Sequence, residues 1–313
     1  MDLPLRIVFM GTPDFAVPSL QALIDGPEQV VAVVCQPDRQ RGRGKVLSPP
    51  PVKVLAERHG LPILQPDSVR TEVFLTQMRE LAPDLVVVVA YGKILSESLL
   101  QLPRLGAINV HGSLLPQYRG AAPIQWAVIN GEAETGVTIM QMDAGMDTGD
   151  ILLIVPTPIG PQETAGELFD RLSQLGGAAL VTAVEQLKQG QLPPRPQNHA
   201  LASMAPMLRK EMGHLDWNLP AARLHCLIRG LDPWPSAYGF IDGTRYRFFS
   251  PEIVPVRPAD PPGTLCRVDS QGLLIATGED CLLLRDIQPE GKKRMPVAAC
   301  LHGIRLQPGM VIT

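Results

Sequence analysis

The chain has 313 residues, and its 28 Lys and Arg stand against 31 Asp and Glu, for a formal net charge of −3. This length suits two domains better than a single core, and the charge gives no overall sign of a nucleic-acid partner. The five cysteines form no Cys-x-x-Cys pair, which indicates free thiols in a reducing compartment. No apolar run approaches the roughly 18 residues that span a bilayer, and the N-terminus lacks a signal-peptide pattern. We therefore expect a cytoplasmic protein with no membrane segment.

The first part of the chain alternates strand patterns with helical patterns. The strand patterns cover residues 5–10, 30–35, a short stretch around 63, 86–89, 108–111 and 137–140, and helical patterns lie over 16–24, 52–59, 71–81, from 123, and 164–187. One strand is apolar throughout, which is typical of a strand buried on both faces. The alternation predicts an α/β domain with a parallel sheet, whose site lies outside the carboxyl ends of the strands.

The rest of the chain has a different pattern. Residues 189–196 are rich in Gly, Pro and Gln, which is typical of a linker. Short strand patterns then follow over 238–241, 246–250, 264–268, 273–276 and 281–287. Asp242-Gly243 is a hairpin signal between two of them. A small β-barrel is the expected result.

Two polar residues stand where the strand pattern at 108–111 ends. Asn109 and His111 are two positions apart, so they point to the same face of a strand. An amide donor beside an imidazole can stabilise a developing negative charge and move a proton. This strand end is the candidate catalytic centre.

A basic segment lies in the predicted loop 36–51. Arg39, Arg41, Arg43 and Lys45 fall within seven residues, with two glycines among them. Such a segment suits a phosphate backbone, but an ordinary solvated loop explains the charge equally well. Near the N-terminus, the turn at Gly11 lacks the further glycines of a dinucleotide-binding fingerprint, so no nucleotide cofactor is expected.

An acidic loop follows the strand pattern at 137–140. Asp143, Asp147 and Asp150 could hold a divalent cation, but their spacing is not that of an EF-hand. The alternative is that one carboxylate orients His111 and holds it protonated.

These segments closely resemble the methionyl-tRNA formyltransferase family. The resemblance is carried by residues 109–116, 118–124 and 147–149, and extends to 11–15, 36–39, 42–45, 89–92, 134–140 and 216–217. It implies a Rossmann-like formyltransferase domain over 1–189 with a mostly parallel sheet, a linker over 190–207, and an OB-like barrel over 208–313 that helps to hold tRNA. It also implies 10-formyltetrahydrofolate as formyl donor and initiator methionyl-tRNA as substrate, with no metal and no nucleotide, in a monomer.

The resemblance assigns roles residue by residue. The family's catalytic Asn, His and Asp fall on Asn109, His111 and Asp147. The segment that holds the folate corresponds to Ser113, Leu114, Leu115 and Pro116, and the backbone that lines the pterin pocket corresponds to Val88, Val89, Ala90, Tyr91 and Gly92. Arg43 corresponds to a loop residue that enters the acceptor arm of the tRNA, with Arg39, Arg41 and Lys45 as supports.

One position departs from the family pattern. Similar proteins often carry an additional lysine near the position of Met207, and Arg209 and Lys210 are expected to compensate for it. Two other interpretations remain: a formyltransferase or formyl hydrolase acting on a small molecule, and an RNA-binding protein without catalysis. The first does not account for the basic loop and the barrel, and the second leaves Asn109, His111 and Asp147 without a purpose.

Overall fold

A computed structural model describes residues 3–41 and 46–313 of the chain. The chain forms two compact units, the first made of Met1–Gly120, Thr135–Thr157 and Phe169–Ala205, and the second of Ala121–Glu134, Pro158–Leu168 and Pro206–Thr313. Two short segments thus belong to the same unit as the C-terminal residues, although they lie within the first predicted domain. Boundaries at 189 and 207 stay a prediction.

The first unit is built on a seven-stranded sheet. Up to residue 205 the strands are β1 (Arg6–Gly11), β2 (Gln29–Val34), β3 (Arg39–Arg41), β4 (Val46–Ser48), β5 (Ile63–Leu64), β6 (Leu85–Val89), β7 (Ala107–His111), β8 (Arg119–Gly120), β9 (Glu134–Gln141), β10 (Ile151–Pro158) and β11 (Met204–Ala205). The sheet order is β10-β9-β7-β6-β1-β2-β5. Strands β5 to β7 pair in parallel through β2, β1 and β6, whereas β9 is antiparallel to β7. The predicted mostly parallel, Rossmann-like sheet is confirmed, and the direction of β9 is the exception.

The order of the strands creates a switch point beside β1. The chain proceeds from β1 to β2 and β5, and then returns to place β6 and β7 on the other side of β1. In such sheets ligands bind outside the carboxyl ends of the strands where the order reverses. All five residues of β6 are buried, as expected for a central strand covered on both faces.

Helices connect the strands, and all except the four-residue helix Glu97–Leu100 lie at the predicted places. They are α1 (Val17–Ile24), α2 (Pro51–Arg58), α3 (Glu72–Leu81), α4 (Glu97–Leu100), α5 (Pro123–Ile129) and α6 (Ala165–Lys188). At the start of α6, Thr164 and Glu167 exchange side-chain-to-backbone hydrogen bonds of 2.8 and 3.2 Å. This reciprocal capping box satisfies amides that no helical carbonyl can reach. Within the described part of the chain, every helix is too short or too polar to cross a lipid bilayer, and all five cysteines are free.

The predicted loop 36–51 contains a hairpin, which corrects the expectation of irregular structure. Arg39 pairs with Ser48 in antiparallel strands β3 and β4. At the base of the hairpin, Lys53 Nζ lies 2.9 Å from Asp38, and the Gln65 amide donates to Asp38 at 2.8 Å. These hydrogen bonds, from Gln65 first and then from Lys53, lower the pKa of Asp38. These contacts therefore fix the base of the hairpin to which the basic segment belongs.

The second unit contains an antiparallel sheet. Its elements are α7 (Ala221–Gly230), β12 (Ala237–Ile241), β13 (Thr244–Val254), β14 (Leu265–Asp269), β15 (Gly272–Ala276), β16 (Cys281–Pro289), β17 (Met295–Pro296) and α8 (Val297–Cys300). The order is β12-β13-β16-β15-β14. Phe240 and Thr313 exchange backbone hydrogen bonds of 2.7 and 2.9 Å, and Leu265 donates to Met310 at 2.8 Å. The last residues thereby join β12 to β14 and close the predicted barrel.

Candidate active site

Asn109 lies near the carboxyl end of β7, between two strands of the sheet. Its register partners are Val88 on β6 and Met140 on β9. The side chain is half-buried, and its amide has no hydrogen-bond partner among residues 3–41 and 46–313. Both amide hydrogens are therefore available to a ligand at this edge of the sheet.

His111 is held by a backbone carbonyl. The ring is 6% exposed, and its Nε2 lies 3.0 Å from the carbonyl oxygen of Tyr118. Because a carbonyl oxygen only accepts, Nε2 carries a hydrogen in this arrangement. The nitrogen that remains free to gain or lose a proton is Nδ1, which lies 3.7 Å from Oδ2 of Asp147.

Asp147 approaches His111 from the loop between β9 and β10. Its carboxylate oxygen Oδ2, the one that faces His111, accepts a hydrogen bond of 2.8 Å from the backbone amide of Gly120. The residue has a φ of 53°, in the left-handed region, which costs an L-residue roughly 1–2 kcal/mol. A residue in this conformation needs support from its surroundings, and the Gly120 amide contributes to that support.

Asp143, another acidic residue of this loop, has different contacts. Asp143 accepts hydrogen bonds from Thr148 Oγ1 at 2.7 Å and from the Gly145 amide at 3.0 Å. It therefore caps its own loop. In the described ranges, no three His, Cys, Asp or Glu side chains come together as a metal site would require.

The segment assigned to folate divides into inward and outward residues. Ser113 is fully buried and donates to the Gln117 carbonyl at 2.6 Å, and Leu115 packs against Met140 and Ile151. Leu114 and Pro116 are half-buried. Of these four residues, only Leu114 and Pro116 have side-chain surface that a ligand could contact.

The strand end assigned to the pterin pocket likewise contains both buried and exposed residues. Val88, Val89 and Tyr91 are buried, and burial raises the pKa of Tyr91 to about 12. Ala90 and Gly92 are exposed and have φ values of 47° and 83°. These left-handed residues follow β6 directly, beside the carboxyl end of β7.

The Tyr91 carbonyl is already engaged. It accepts from the Gln36 amide at 3.2 Å and from Thr12 Oγ1 at 3.3 Å. The backbone that the structure leaves on the surface of this turn is thus that of Ala90 and Gly92.

The structure separates the predicted tRNA contacts into those it describes and those it does not. Arg39 is exposed at the start of β3. Arg43 and Lys45 lie outside the described residues, and so does the side chain of Arg41. In the second unit Arg209 and Lys210 are exposed, and Met207 is 72% exposed.

Trp217 and Trp234, both in the second unit, differ in solvent exposure. Trp217 is 4% exposed and packs in the core of this unit. Trp234, between two prolines, is 52% exposed. Trp234 lies between two cis peptide bonds, Asp232-Pro233 and Trp234-Pro235.

Sequence reasoning missed several groups that hold the site. They are the Tyr118 carbonyl, the Gly120 amide, the Arg119 side chain and the Gln197 amide. The first two are backbone groups, which no side-chain pattern reports. Gln197 stands among prolines and polar residues that read as a linker, so the sequence carried no signal for it.

Two solved structures, a sugar formyl transferase and a protein bound to tetrahydrofolic acid, share this fold. A sugar 3N-formyl transferase, WlaRD, aligns with a TM-score of 0.68 at 16% identity, over 94% of this chain and 100% of its own. HypX from Aquifex aeolicus, in complex with tetrahydrofolic acid, aligns with a TM-score of 0.62 at 16% identity, over 96% of this chain and 47% of its own. At such identities the likeness concerns the fold.

The family models divide the chain into two parts. The Formyl transferase model matches residues 5–184, and the Formyl transferase C-terminal domain model matches residues 207–305. The two matches follow one another along the chain with a short gap between them.

Curated relatives extend the likeness to nearly the full length. The methionyl-tRNA formyltransferase of Desulfotalea psychrophila is 59% identical over 305 residues, which are 96% of this chain and 94% of that protein. The methionyl-tRNA formyltransferase of Geobacter sulfurreducens is 50% identical over 305 residues, 97% and 96% of the two chains. With both formyl transferase models matched and identity this high over both units, the chain belongs to the methionyl-tRNA formyltransferase family.

Proposed function

We propose that this enzyme transfers the formyl group of 10-formyltetrahydrofolate to the α-amine of methionine on initiator methionyl-tRNA. The observation that carries the proposal is the meeting of Asn109, His111 and Asp147 at one sheet edge, in a chain with both formyl transferase models matched. These side chains come from a strand end and a distant loop. Their types are those that formyl transfer to an amine requires.

Asn109 is the proposed oxyanion donor. When the amine attacks the formyl carbon, a C–N bond forms and the carbonyl electron pair moves to oxygen. No group in the described part of the chain hydrogen-bonds the Asn109 amide, so this amide is available to donate to that oxygen. One such donor contributes about 3–4 kcal/mol of transition-state stabilisation.

His111 and Asp147 are the proposed proton-transfer pair. The attacking amine must lose a proton, and N10 of the departing folate takes one up as the C–N10 bond breaks with its electron pair. Nδ1 of His111, with Asp147 at 3.7 Å, is the exchangeable position of this site. Protonated Nδ1 also supports the developing negative charge.

The proposed contact surface for the folate consists of the groups of the two assigned segments that are accessible at the surface. Leu114 and Pro116 offer apolar side-chain surface, and the exposed turn of Ala90 and Gly92 offers backbone groups beside the end of β7. Backbone donors and acceptors suit the edge of a pterin ring. Ser113 and Leu115 act indirectly, by fixing the segment that bears these neighbours.

For the tRNA, the basic hairpin is the first proposed contact. Asp38, Lys53 and Gln65 fix its base at hydrogen-bond distances of 2.8–2.9 Å, and Arg39 is exposed where the hairpin begins. Arg41, Arg43 and Lys45 continue the segment. We propose that these cations meet the acceptor arm.

The barrel offers a second proposed contact of aromatic and basic residues. The exposed His214 stacks on Tyr238 with ring centroids 5.2 Å apart and an interplanar angle of 15°. Phe240 lies on the same strand face, and the Arg245 guanidinium is 6.0 Å from the Tyr238 ring. Aromatic rings interleaved with arginines suit RNA bases and phosphates.

The compartment follows from the substrate within this proposal. Initiator tRNA is used where translation starts, so we place the enzyme in the cytoplasm. We also propose that the enzyme acts as a monomer. A formyltransferase for a small-molecule amine is the competing function. The alignments to methionyl-tRNA formyltransferases, at 59% and 50% identity, cover 96% and 97% of this chain and so include the second unit, which favours the tRNA substrate.

The test uses purified enzyme with 10-formyltetrahydrofolate and methionine charged on either initiator or elongator tRNA. We expect formyl-methionine from the initiator and at least tenfold less from the elongator. Equal formylation of both would refute initiator selection. No formylation of either, with formyl transfer to a free amino sugar or amino acid, would establish the competing function.

A further inference from the structure

Gln197 lies in the segment between α6 and β11 and is 6% exposed. Its side-chain Nε2 donates to two backbone carbonyls of the acidic loop, to Asp147 at 2.9 Å and to Gly149 at 2.7 Å. Both hydrogens of this amide are therefore committed to the turn that carries the Asp147 carboxylate. These contacts join residues about 50 positions apart in the chain.

Arg119 fixes which way the Gln197 amide points. Its Nε and Nη2 donate to Oε1 of Gln197 at 3.2 and 2.6 Å, and the arginine is itself 7% exposed. An oxygen held by a guanidinium leaves the NH₂ group facing the two carbonyls. The amide cannot flip without placing its donors against the arginine.

The turn itself needs such an anchor. Asp147 has a left-handed φ of 53°, while the Gly149 position has no room for a Cβ because the Gln141 carbonyl lies against it. The Asp147 side chain is tied separately, by the Gly120 amide at 2.8 Å. Gln197 thus acts on the backbone and Gly120 on the carboxylate.

We propose that Gln197 is a positioning residue for Asp147, which it holds toward His111 through the backbone of the acidic loop. This inference rests on the proposed function, because the position of the carboxylate matters through formyl transfer. The segment over 190–205 is then part of the frame of the active site as well as a connection. Chain composition alone had indicated only a linker there.

Two near-isosteric substitutions separate positioning from simple packing. Gln197→Glu keeps an acceptor for Arg119 and loses the donors to the loop, whereas Gln197→Met loses both. We expect each to lower kcat at least tenfold, with KM for methionyl-tRNA and for the folate within threefold of the parent. Gln191→Glu, at an exposed position of the same segment, is the matched control and should retain the parental kcat.

A double-mutant cycle with Asp147→Asn supplies the readout that a structural role would not give. If Gln197 acts through Asp147, Asp147→Asn combined with Gln197→Glu should be no slower than Asp147→Asn alone. The parent protein's activity tests the proposed function, and the ratios among folded variants test the positioning role. Parental kcat in Gln197→Glu, or losses that multiply in the double variant, would overturn the inference. Failure of both Gln197 variants to fold, with Gln191→Glu folded, would also overturn it, since the residue would then serve stability alone.

Discussion

The backbone amide of Gly120 donates a hydrogen bond to the same Asp147 oxygen that faces Nδ1 of His111, at 2.8 and 3.7 Å respectively. A second backbone group of this segment, the Tyr118 carbonyl, holds the opposite nitrogen of the ring. The short stretch after β7 therefore orients both members of the proposed proton-transfer pair. Neither contact involves another side chain.

Gly120→Ala should disrupt this arrangement. The glycine has a φ of 122°, and a Cβ there would lie 2.8 Å from the Ala205 carbonyl, so the backbone must shift and carry the amide away from Asp147. We expect kcat to fall at least tenfold in steady-state formylation. Gly190→Ala is the control, because it also has a positive φ, of 68°, but open space around the position. A Gly120→Ala enzyme with parental kcat would show that the amide contact is dispensable.

Tyr238→Ala should weaken tRNA binding at the barrel. Stacking of one base on an aromatic ring contributes roughly 1–3 kcal/mol, so the dissociation constant should rise about 5- to 150-fold in a direct binding assay. Tyr238→Phe keeps the ring and should bind like the parent. If alanine and phenylalanine variants bind equally well, this face does not contact the tRNA.

Arg41→Gln combined with Arg43→Gln should flatten the salt dependence of tRNA binding. Each phosphate contact that is lost lowers the slope of log K against log salt by about 1, so a decrease of about 2 is expected. Folate binding should not change. The control pair is Arg58→Gln and Arg70→Gln, both at exposed positions outside the hairpin segment. An unaltered slope in the Arg41 and Arg43 variant would remove the hairpin from the proposed interface.

The sequence predicts much of this fold and only part of the site. The apolar runs and helical spacing locate the strands β1, β2, β5, β6, β7 and β9 and the long helix α6, since these patterns reflect which face is buried. The direction of β9 is not in any local pattern, because antiparallel pairing to β7 depends on how the chain returns to the sheet. The hairpin within 36–51 was also missed, since each of its strands is only three residues long.

At the site, Asn109 and His111 are visible as polar residues at a strand end, and the resemblance adds Asp147. The groups that orient them could not be predicted. Gly120 and Tyr118 act through their backbone, and Gln197 through contacts with partners about 50 residues away in sequence. Pro and Gln around residue 197 indicate irregular structure, but they carry no information about what that structure touches.

Stability of the second unit should fall between pH 6.5 and pH 4 because of His225. Burial, with a smaller contribution from Arg229, lowers the pKa of this histidine to about 4. The unfolded chain, with a pKa near 6.5, therefore binds the proton first as the pH falls. The neutral ring stabilises the fold fully above pH 6.5, and roughly 3 kcal/mol is lost by pH 4.

The measurement is the free energy of unfolding of the parent and of His225→Gln across this range. Relative to that of His225→Gln, the free energy of unfolding of the parent should decrease by roughly 3 kcal/mol as the pH falls from 6.5 to 4, since glutamine does not titrate. His59→Gln, at an exposed position, should follow the parent curve. Parallel curves for the parent and His225→Gln would contradict a buried neutral histidine.

We propose that Asn109, His111 and Asp147 perform formyl transfer to methionyl-tRNA. These roles are tested by single-turnover formylation of initiator methionyl-tRNA by Asn109→Ala and Asp147→Asn at saturating 10-formyltetrahydrofolate, with thermal midpoints and folate affinity measured on the same samples. We predict a transfer rate at least a hundredfold below that of the parent for each variant, with the fold and folate binding retained. Transfer rates within threefold of the parent in both variants would contradict the claim.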